Sequence, residues 1–142
     1  YLEEKSREEE IKSQKKKKYG QELILDVHDV PMEFFTKKNV RQLSEHLCDE
    51  IGMVRKYAPN YIWGEEKELH KTKKKYGGVK ADGLSCIQFL YSSSILIHAL
   101  DDIQKVFINI FSCERFDAKK AEKFVKETVG GKIERADNLV RD

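Results

Sequence analysis

Residues 83 to 113, GLSCIQFLYSSSILIHALDDIQKVFINIFSC, decide the fold of this chain. They form the longest weakly charged stretch in a chain that is 37% charged. Apolar residues occupy both alternating positions at 87 to 91 and again at 106 to 111, which predicts two strands that are buried on both faces. With the serine-containing segment between them, this stretch is predicted to supply three strands, which we expect to lie together in one small sheet.

Four reactive side chains are spaced along this stretch: Ser85, Ser93, His98 and Cys113. A hydroxyl, an imidazole and a thiol carried on strands of one sheet can converge on one pocket, as covalent catalysis requires. The alternative is structural, because serines end strands, a lone histidine lies in a core, and a buried cysteine acts as a small apolar residue. Composition alone favours this structural interpretation.

The order and spacing of these residues resemble the active-site core of the prokaryotic S-adenosylmethionine decarboxylases, which are small pyruvoyl enzymes. The pattern of that family reads roughly GVSG, a short apolar strand, ESHLTIH, and then a strand ending in FTCG. The counterparts here are GLSC at 83 to 86, SSSILIH at 92 to 98 and IFSC at 110 to 113. All intervals fit without a gap, and four reactive residues in register are harder to obtain by chance than one.

The resemblance implies a reaction and a role for each residue. In pyruvoyl enzymes a serine hydroxyl attacks the preceding carbonyl, the ester undergoes β-elimination, and the serine becomes a pyruvoyl group. Its ketone forms a Schiff base with the substrate amine and withdraws electrons as carbon dioxide leaves, so no external cofactor is needed. By resemblance Ser93 is the pyruvoyl precursor, with the cut after Ser92. Ser85 assists at the attacked carbonyl, His98 removes the α-proton, and Cys113 later returns a proton to the decarboxylated carbon.

The chain departs from the family pattern beside the reacting serine. The family has glutamate before that serine and histidine after it, where this chain has Ser92 and Ser94. Attack uses a backbone carbonyl, and pyruvoyl histidine and arginine decarboxylases also cut at a Ser-Ser pair, so we expect cleavage, with Ser92 and Ser94 as alternative reacting groups. On a straight strand Ser85 and Ser93 would share a face and His98 would not, which predicts a turn or bulge at 92 to 94.

Three carboxylates are candidates for substrate binding. Asp26 falls where the first strand of the family carries an acid, and Asp101 and Asp102 follow the reactive strand. The acidic pair would attract a cationic amino acid such as ornithine or arginine, but it is also typical of a hairpin turn, which we favour. The approach to Gly83 is GGVKAD, without the aromatic residue that the family uses to hold the adenosyl group and the sulfonium. The sequence leaves the substrate open.

Composition excludes several broad classes. With 27 basic and 25 acidic residues the net charge is +2, which gives no overall field for nucleic acid. Three cysteines without paired spacing indicate a reducing compartment, and we predict a cytoplasmic location. No apolar run has the length of a membrane span, and nothing beside Cys48 indicates a metal. The sequence starts at Tyr1, which leaves a preceding targeting peptide open.

We divide the chain into a charged tail at 1 to 18 and a decarboxylase-like domain at 19 to 142. Residues 53 to 82 form a divergent insert in that domain, and its lysine-rich part at 65 to 80 has no assigned purpose. The lysines that end the tail serve solubility in our interpretation, because no aromatic residues interleave with them as RNA binding would require.

Periodicity predicts a first strand at 23 to 27 and a helix from about 36 to 51, with Asn39 and Gln42 as a capping box. A second helix is predicted to begin after the cap Asp117, to bury Ala121, Phe124, Val125 and Thr128, and to stop at Gly130 and Gly131. A short edge strand at 132 to 135 completes the predicted elements.

These elements predict an α+β fold, a two-layer sandwich of a mostly antiparallel sheet with two helices on one face. The other sheet face is also apolar and would expose a large patch. The resemblance supplies a cover, because family protomers pair sheet to sheet into a four-layer αββα homodimer.

Three classes of function follow. The first is a self-processing carboxy-lyase that acts on S-adenosylmethionine in spermidine biosynthesis, or on ornithine or arginine. The second keeps the fold without processing and acts as a binding or regulatory partner. The third is a basic-tailed nucleic-acid module, for which the lysine runs are the only support.

Overall fold

The computed structural model describes residues 4–9, 19–55, 58–64, 75–76, 79–80 and 83–142, with residues 75–76 and 79–80 described by their backbone. Residues 4 to 9 are helical. From residue 19 onward the described elements are β1 (Gly20–His28), α1 (Lys37–Glu50), β2 (Asn60–Gly64), β3 (Lys75–Tyr76), β4 (Val79–Lys80), β5 (Leu84–Leu90), β6 (Ser93–Leu100), β7 (Lys105–Ser112), α2 (Ala118–Val129) and β8 (Lys132–Arg141).

Six strands form one sheet in the order β2-β5-β6-β7-β1-β8, while β3 and β4 pair separately. Every pairing in the six-stranded sheet is antiparallel. The reactive stretch supplies its three consecutive central strands, β5, β6 and β7, as the sequence predicted. The predicted α+β class is therefore confirmed.

Both helices pack on the same face of this sheet. Helix α1 contacts β5, β6 and β2, and α2 lies beside α1 over β1 and β8. Alternate strand residues such as Leu25, Ile97 and Ile110 are fully buried beneath the helices. The prediction that the central strands are buried on both faces is wrong for the part of the single chain that the structure describes, because α1 and α2 both pack on the first face and the second register is only partly buried. We call this second side of the sheet the open face.

The observed N-cap of α1 differs from the predicted one, whereas that of α2 agrees. Thr36, not a capping box of Asn39 and Gln42, caps α1: its hydroxyl accepts a hydrogen bond of 3.1 Å from the Asn39 backbone N–H. The Asn39 side chain instead donates to the Glu33 carbonyl at 3.0 Å. Thr36 is extended, as an N-cap must be, whereas Asn39 already lies inside the helix. Asp117 caps α2 as predicted, by accepting from the Lys120 backbone N–H at 3.0 Å.

The C-terminal part of the chain is more regular than predicted. Strand β8 continues to Arg141 and pairs along the whole of β1. Its residues are mostly exposed and charged, so apolar alternation did not reveal it; the strand is held by its backbone pairing with β1. In α2 the buried residue near the end is Val129 rather than Thr128.

The insert contributes one strand to the sheet. Strand β2 lies at the edge and pairs with β5, and the chain leaves it at Gly64 and returns at Gly83. A Cβ atom on Gly64, whose φ is +116°, would lie 2.1 Å from the Gly83 carbonyl oxygen, so the two backbones touch there. The lysines at 15 to 18 and those at 67, 71, 73 and 74 lie outside the described residues.

In the described ranges, no helix combines the length and the apolar character that crossing a bilayer requires.

Candidate active site

Ser93 lies against Cys113 at one end of the sheet. It is the first residue of β6, directly after a two-residue hairpin turn formed by Tyr91 and Ser92. The Ser93 Oγ atom accepts a hydrogen bond from the Cys113 backbone N–H at 3.0 Å and donates one to the Cys113 Sγ atom at 3.5 Å. The same sulfur lies 3.6 Å from the Tyr91 carbonyl oxygen. The Ser93 hydroxyl and the Cys113 thiol thus meet where β6 begins and β7 has just ended.

The hairpin turn is exposed and has an unusual backbone. Tyr91 is 84% exposed, and Ser92 has a φ of 51°, in the left-handed region that non-glycine residues seldom adopt. The predicted turn is thus present, one residue earlier than expected. Ser92 is held in this conformation by the hairpin geometry on either side, and the peptide bond that joins it to Ser93 lies at the tip of the hairpin.

A cavity of about 230 Å³ adjoins this serine and cysteine. The end of α1 and the segment after β7 form its walls, with apolar side chains from Ile51, Met53, Leu90 and Phe116. Arg115 also lines it, and its guanidinium Nε–H donates to the Gln21 side-chain oxygen at 3.0 Å. Gln21 is 1% exposed and also accepts from the Phe116 backbone N–H, so it fixes the chain that follows Cys113.

Ser85 and His98 form a second reactive pair. They face each other on β5 and β6, and the Ser85 Oγ atom lies 2.8 Å from the His98 Nδ1 atom. Both side chains project from the open face, where His98 is exposed. We call these two residues the Ser85–His98 pair.

The two pairs are separated within one chain. Ser93 and His98 are five residues apart on β6, which corresponds to about 16 Å along the strand. Ser93 has the strand register that faces the helices, and His98 has the opposite one. The prediction that all four residues converge on one pocket of a single chain is therefore wrong. Because the chain reverses at the hairpin turn, Ser85 and Ser93 also lie on opposite faces, contrary to the parity argument.

The sequence model of the S-adenosylmethionine decarboxylase family matches residues 21–142, a range that contains both reactive pairs. The chain belongs to the S-adenosylmethionine decarboxylase family. No curated protein matches it. Among solved structures it is similar to the crystal structure of the adenosylmethionine decarboxylase from Aquifex aeolicus VF5, with a TM-score of 0.63 and 16% identity over 88% of this chain and 90% of that chain. That likeness supports the decarboxylase fold.

Trp63 lies beside the Ser85–His98 pair, a neighbourhood that the sequence did not reveal. It lies on β2 directly opposite Ser85, so its side chain shares the open face with the Ser85–His98 pair. The indole is 52% exposed. The pairing of β2 with β5 that sets Trp63 beside Ser85 joins segments about twenty residues apart and has no local signal in the sequence.

The predicted substrate carboxylates lie in two places. Asp26 lines a small cavity of about 110 Å³ on the open face together with His98, Leu96 and Phe107. Asp101 and Asp102 lie in the turn between β6 and β7, where the Gln104 backbone N–H donates to the Asp101 carbonyl at 3.2 Å. The acidic pair thus lies in a turn between two strands, as predicted, and Asp101 follows Ser93 by eight positions along the chain.

The three cysteines, all free, have different surroundings. Burial raises the pKa of the Cys48 thiol to about 12 and also raises the pKa of Cys86. Cys113 is partly exposed and borders the cavity beside Ser93. Of the three thiols, that of Cys113 is therefore the accessible one. Within the described ranges, no three histidine, cysteine or acidic residues are grouped to hold a metal ion.

Proposed function

We propose that this chain is a self-processing decarboxylase of S-adenosylmethionine, a carboxy-lyase that serves spermidine synthesis and carries a pyruvoyl group made from Ser93. One observation carries the proposal. In a chain of this family, the Ser93 hydroxyl contacts both the backbone N–H and the thiol of Cys113, directly after an exposed turn. The free thiols accord with the cytoplasmic location that we propose for it.

The processing reaction starts at the Ser92 carbonyl. The Ser93 Oγ atom attacks the carbonyl carbon, and the peptide C–N bond is replaced by an ester C–O bond. Removal of the Ser93 α-proton then expels the Ser92 carboxylate, and the resulting dehydroalanine takes up water and releases ammonia to give the pyruvoyl group. The left-handed backbone of Ser92 supports this step, because strain of this kind is relieved when the bond that maintains it is cut.

The residues around Ser93 fit a pyruvoyl group at that position. When present, such a group supplies an electron-withdrawing ketone for decarboxylation, so that no external cofactor is required. The Cys113 backbone N–H already donates to the side chain at position 93, and the thiol lies on the same side. The Cys113 thiol is therefore placed to donate a proton to the substrate carbon after carbon dioxide has left. Apolar side chains line part of the adjacent cavity.

His98 cannot act on Ser93 of its own chain across about 16 Å of strand. A second subunit overcomes this separation. If two sheets packed face to face, with a two-fold axis between them, perpendicular to β6 and level with Leu96, the hairpin tip of one subunit would lie towards the Ser85–His98 pair of the other. The exposed Tyr91–Ser92 turn leaves the reacting peptide accessible to that partner. We therefore propose that each site is completed by two subunits.

The open face has the character of such a contact. Its β2–β5 half carries a cluster of exposed aromatic side chains, with Tyr61 and Phe89 in edge-to-face contact at 6.3 Å and both residues more than 40% exposed. Exposed apolar patches of this kind mark interaction surfaces. A homodimer with four layers, αββα, covers this patch on both subunits and follows the assembly that the family resemblance implies.

Trp63 offers a place for the sulfonium part of the substrate. A cation without N–H donors is attracted to the face of an indole ring. Trp63 lies next to the Ser85–His98 pair, two strands from His98, which is about 10 Å. We propose that Trp63 takes the role of the aromatic residue that is missing before Gly83.

Denaturing mass spectrometry of the intact purified protein tests the proposed function. Processing yields one fragment that ends at Ser92 and one that begins with a pyruvoyl-blocked residue 93. The matched variants Ser92→Ala, Ser93→Ala and Ser94→Ala identify the reacting serine: we expect the cut to persist in the first and third and to disappear in the second.

A chain that stays intact at all concentrations would contradict self-processing. It would favour the second candidate function, an unprocessed binding homologue, which is supported by the separation of Ser93 from His98 in the single chain.

A further inference from the structure

Asp26 lies on the open face beside the Ser85–His98 pair. In register, β1 Asp26 is opposite β7 Phe107, which is opposite β6 His98. The three side chains surround the cavity of about 110 Å³, which has room for a small group. A carboxylate at such a place would be expected to bind an ammonium or guanidinium group of a ligand.

Arg135 already supplies a guanidinium to this carboxylate. It lies on β8 directly opposite Asp26, and its Nε atom is 3.5 Å from the Asp26 Oδ2 atom. Its Nη1 atom is 3.4 Å from the Asp137 Oδ2 atom. One side chain of the protein therefore pairs with two carboxylates at the edge of the His98 cavity.

A bulge in β8 brings Arg135 to this position. Asp26 pairs with Arg135 and the next residue, Val27, pairs with Ile133, so Glu134 is an extra residue. Such a bulge re-aims the side chains around it. The Glu134 carboxylate reaches across to the ammonium of Lys105 on β7, at 3.3 Å. Both Glu134 and Arg135 thus form ion pairs on the open face.

The β7–β1–β8 half of the open face carries an ionic band in which each carboxylate has a cation. Asp26 and Asp137 pair with Arg135, Glu134 pairs with Lys105, and Glu22 pairs with Arg141. The opposite half carries the exposed rings of Tyr61, Trp63 and Phe89. Near His98, the carboxylates are therefore already paired with cations of the chain, whereas the aromatic rings are exposed to solvent.

We propose that Arg135 is a specificity-determining residue that excludes ligands with a side-chain ammonium group. Its guanidinium occupies, from within the chain, the place beside Asp26 where the side-chain cation of a diamino acid would bind. The inference deepens the proposed function, because it rests on the substrate lying near His98, and it explains how one site separates two kinds of cation.

The physical basis is the difference between an ammonium and a sulfonium. An ammonium group is strongly hydrated and carries three N–H donors. Its transfer from water to a binding site therefore costs free energy unless carboxylates or other acceptors take the place of the water molecules. A sulfonium has no N–H donors and needs only a polarisable or aromatic surface. Because Asp26 and Asp137 are both paired with Arg135, the open face lacks carboxylate acceptors for an ammonium ligand. It keeps exposed aromatic rings, which suit a sulfonium ligand.

Calorimetric titration of the full-length chain with L-ornithine tests this inference, in a Ser93→Ala background that keeps the chain uncut. We expect no saturable binding with Arg135 present. Arg135→Met retains the aliphatic stem and removes the charge, which leaves Asp26 and Asp137 without their cation. We expect this variant to gain saturable binding of L-ornithine, with an affinity that falls as salt rises.

Three controls make the result specific. Arg141→Met removes the same charge from the same strand and face but leaves Arg135 in place, and Arg135→Met combined with Asp26→Asn removes the acceptor; neither should bind L-ornithine. L-Norleucine, which replaces the side-chain ammonium by a methyl group, should not bind to any variant.

Absence of binding in a folded Arg135→Met chain, or equal binding in Arg141→Met, would overturn the assignment. Melting temperatures establish that each variant is folded. Because the chain is uncut by design, the outcome does not depend on whether Ser93 is processed.

Discussion

The Ser85 Oγ and His98 Nδ1 atoms lie 2.8 Å apart on neighbouring strands of the open face. Ser93, the residue on which they are proposed to act, begins the same strand five residues earlier and contacts Cys113 instead. The chain thus carries two half-sites. One has the Ser93 hydroxyl and the Cys113 thiol, and the other has the Ser85 hydroxyl and the His98 imidazole. In our account, a second copy of the chain unites them.

Replacement of Cys113 separates processing from decarboxylation. In Cys113→Ala the backbone N–H that donates to Ser93 remains, so we expect the cut to occur. The proton donor is lost, and the rate of carbon dioxide release from S-adenosylmethionine should fall by about 100-fold or more. Fragment masses and labelled carbon dioxide measure the two steps. Cys48→Ala, a cysteine change in α1, serves as the control, and unchanged turnover in Cys113→Ala would exclude Cys113 as the donor.

Truncation of Trp63 should weaken substrate binding more than turnover. Loss of the indole removes a cation–π contact worth about 0.5–2 kcal/mol, so KM for S-adenosylmethionine should rise roughly 3- to 30-fold in Trp63→Ala with little change in kcat. Tyr61→Ala is the matched control, because Tyr61 is an exposed aromatic residue on the same strand and face, opposite Ile87 rather than Ser85. An equal rise in KM in both variants would attribute the effect to the surface in general.

The reactive stretch could be predicted from sequence because its signals are local. Apolar runs broken by serines and by an acidic pair define three strands and two turns, and the spacing of Ser85, Ser93, His98 and Cys113 carries the family pattern. The contact between Ser93 and Cys113 follows from strands β6 and β7 being neighbours with antiparallel register. These features need no knowledge of how distant segments meet.

What could not be predicted depends on non-local geometry. The hairpin turn at Tyr91 and Ser92 reverses the chain, and this reversal places Ser85 and Ser93 on opposite faces. Trp63 lies beside Ser85 only because β2 pairs with β5 across the insert. Arg135 meets Asp26 through a bulge in a strand that is too polar to show apolar alternation. In each case the backbone pairing, and not the side-chain pattern, determines the contact.

Stability should fall at alkaline pH because of Cys48. Burial raises the pKa of this thiol from its ordinary value of 9.0 to about 12 in the folded chain. Above pH 9 the unfolded chain releases the Cys48 thiol proton, whereas the folded chain keeps it. The stability that this thiol contributes to the folded chain is therefore fully present below pH 9 and is lost as pH rises towards 12. Urea unfolding from pH 8 to 10.5 should show a steeper decline for the parent chain than for Cys48→Ala. Parallel declines would contradict this attribution.

Self-cleavage at Ser93, in a site that a second copy of the chain completes, underlies the whole proposed mechanism. The most direct measurement mixes two variants that cannot be cut alone: Ser93→Ala, which lacks the reacting hydroxyl, and His98→Ala, which lacks the base. After joint refolding to exchange subunits, we expect denaturing mass spectrometry to show the His98→Ala chain cut before residue 93 while each variant alone stays intact. A mixture that remains uncut although mixed dimers form, or a His98→Ala chain that is cut alone, would contradict the shared site.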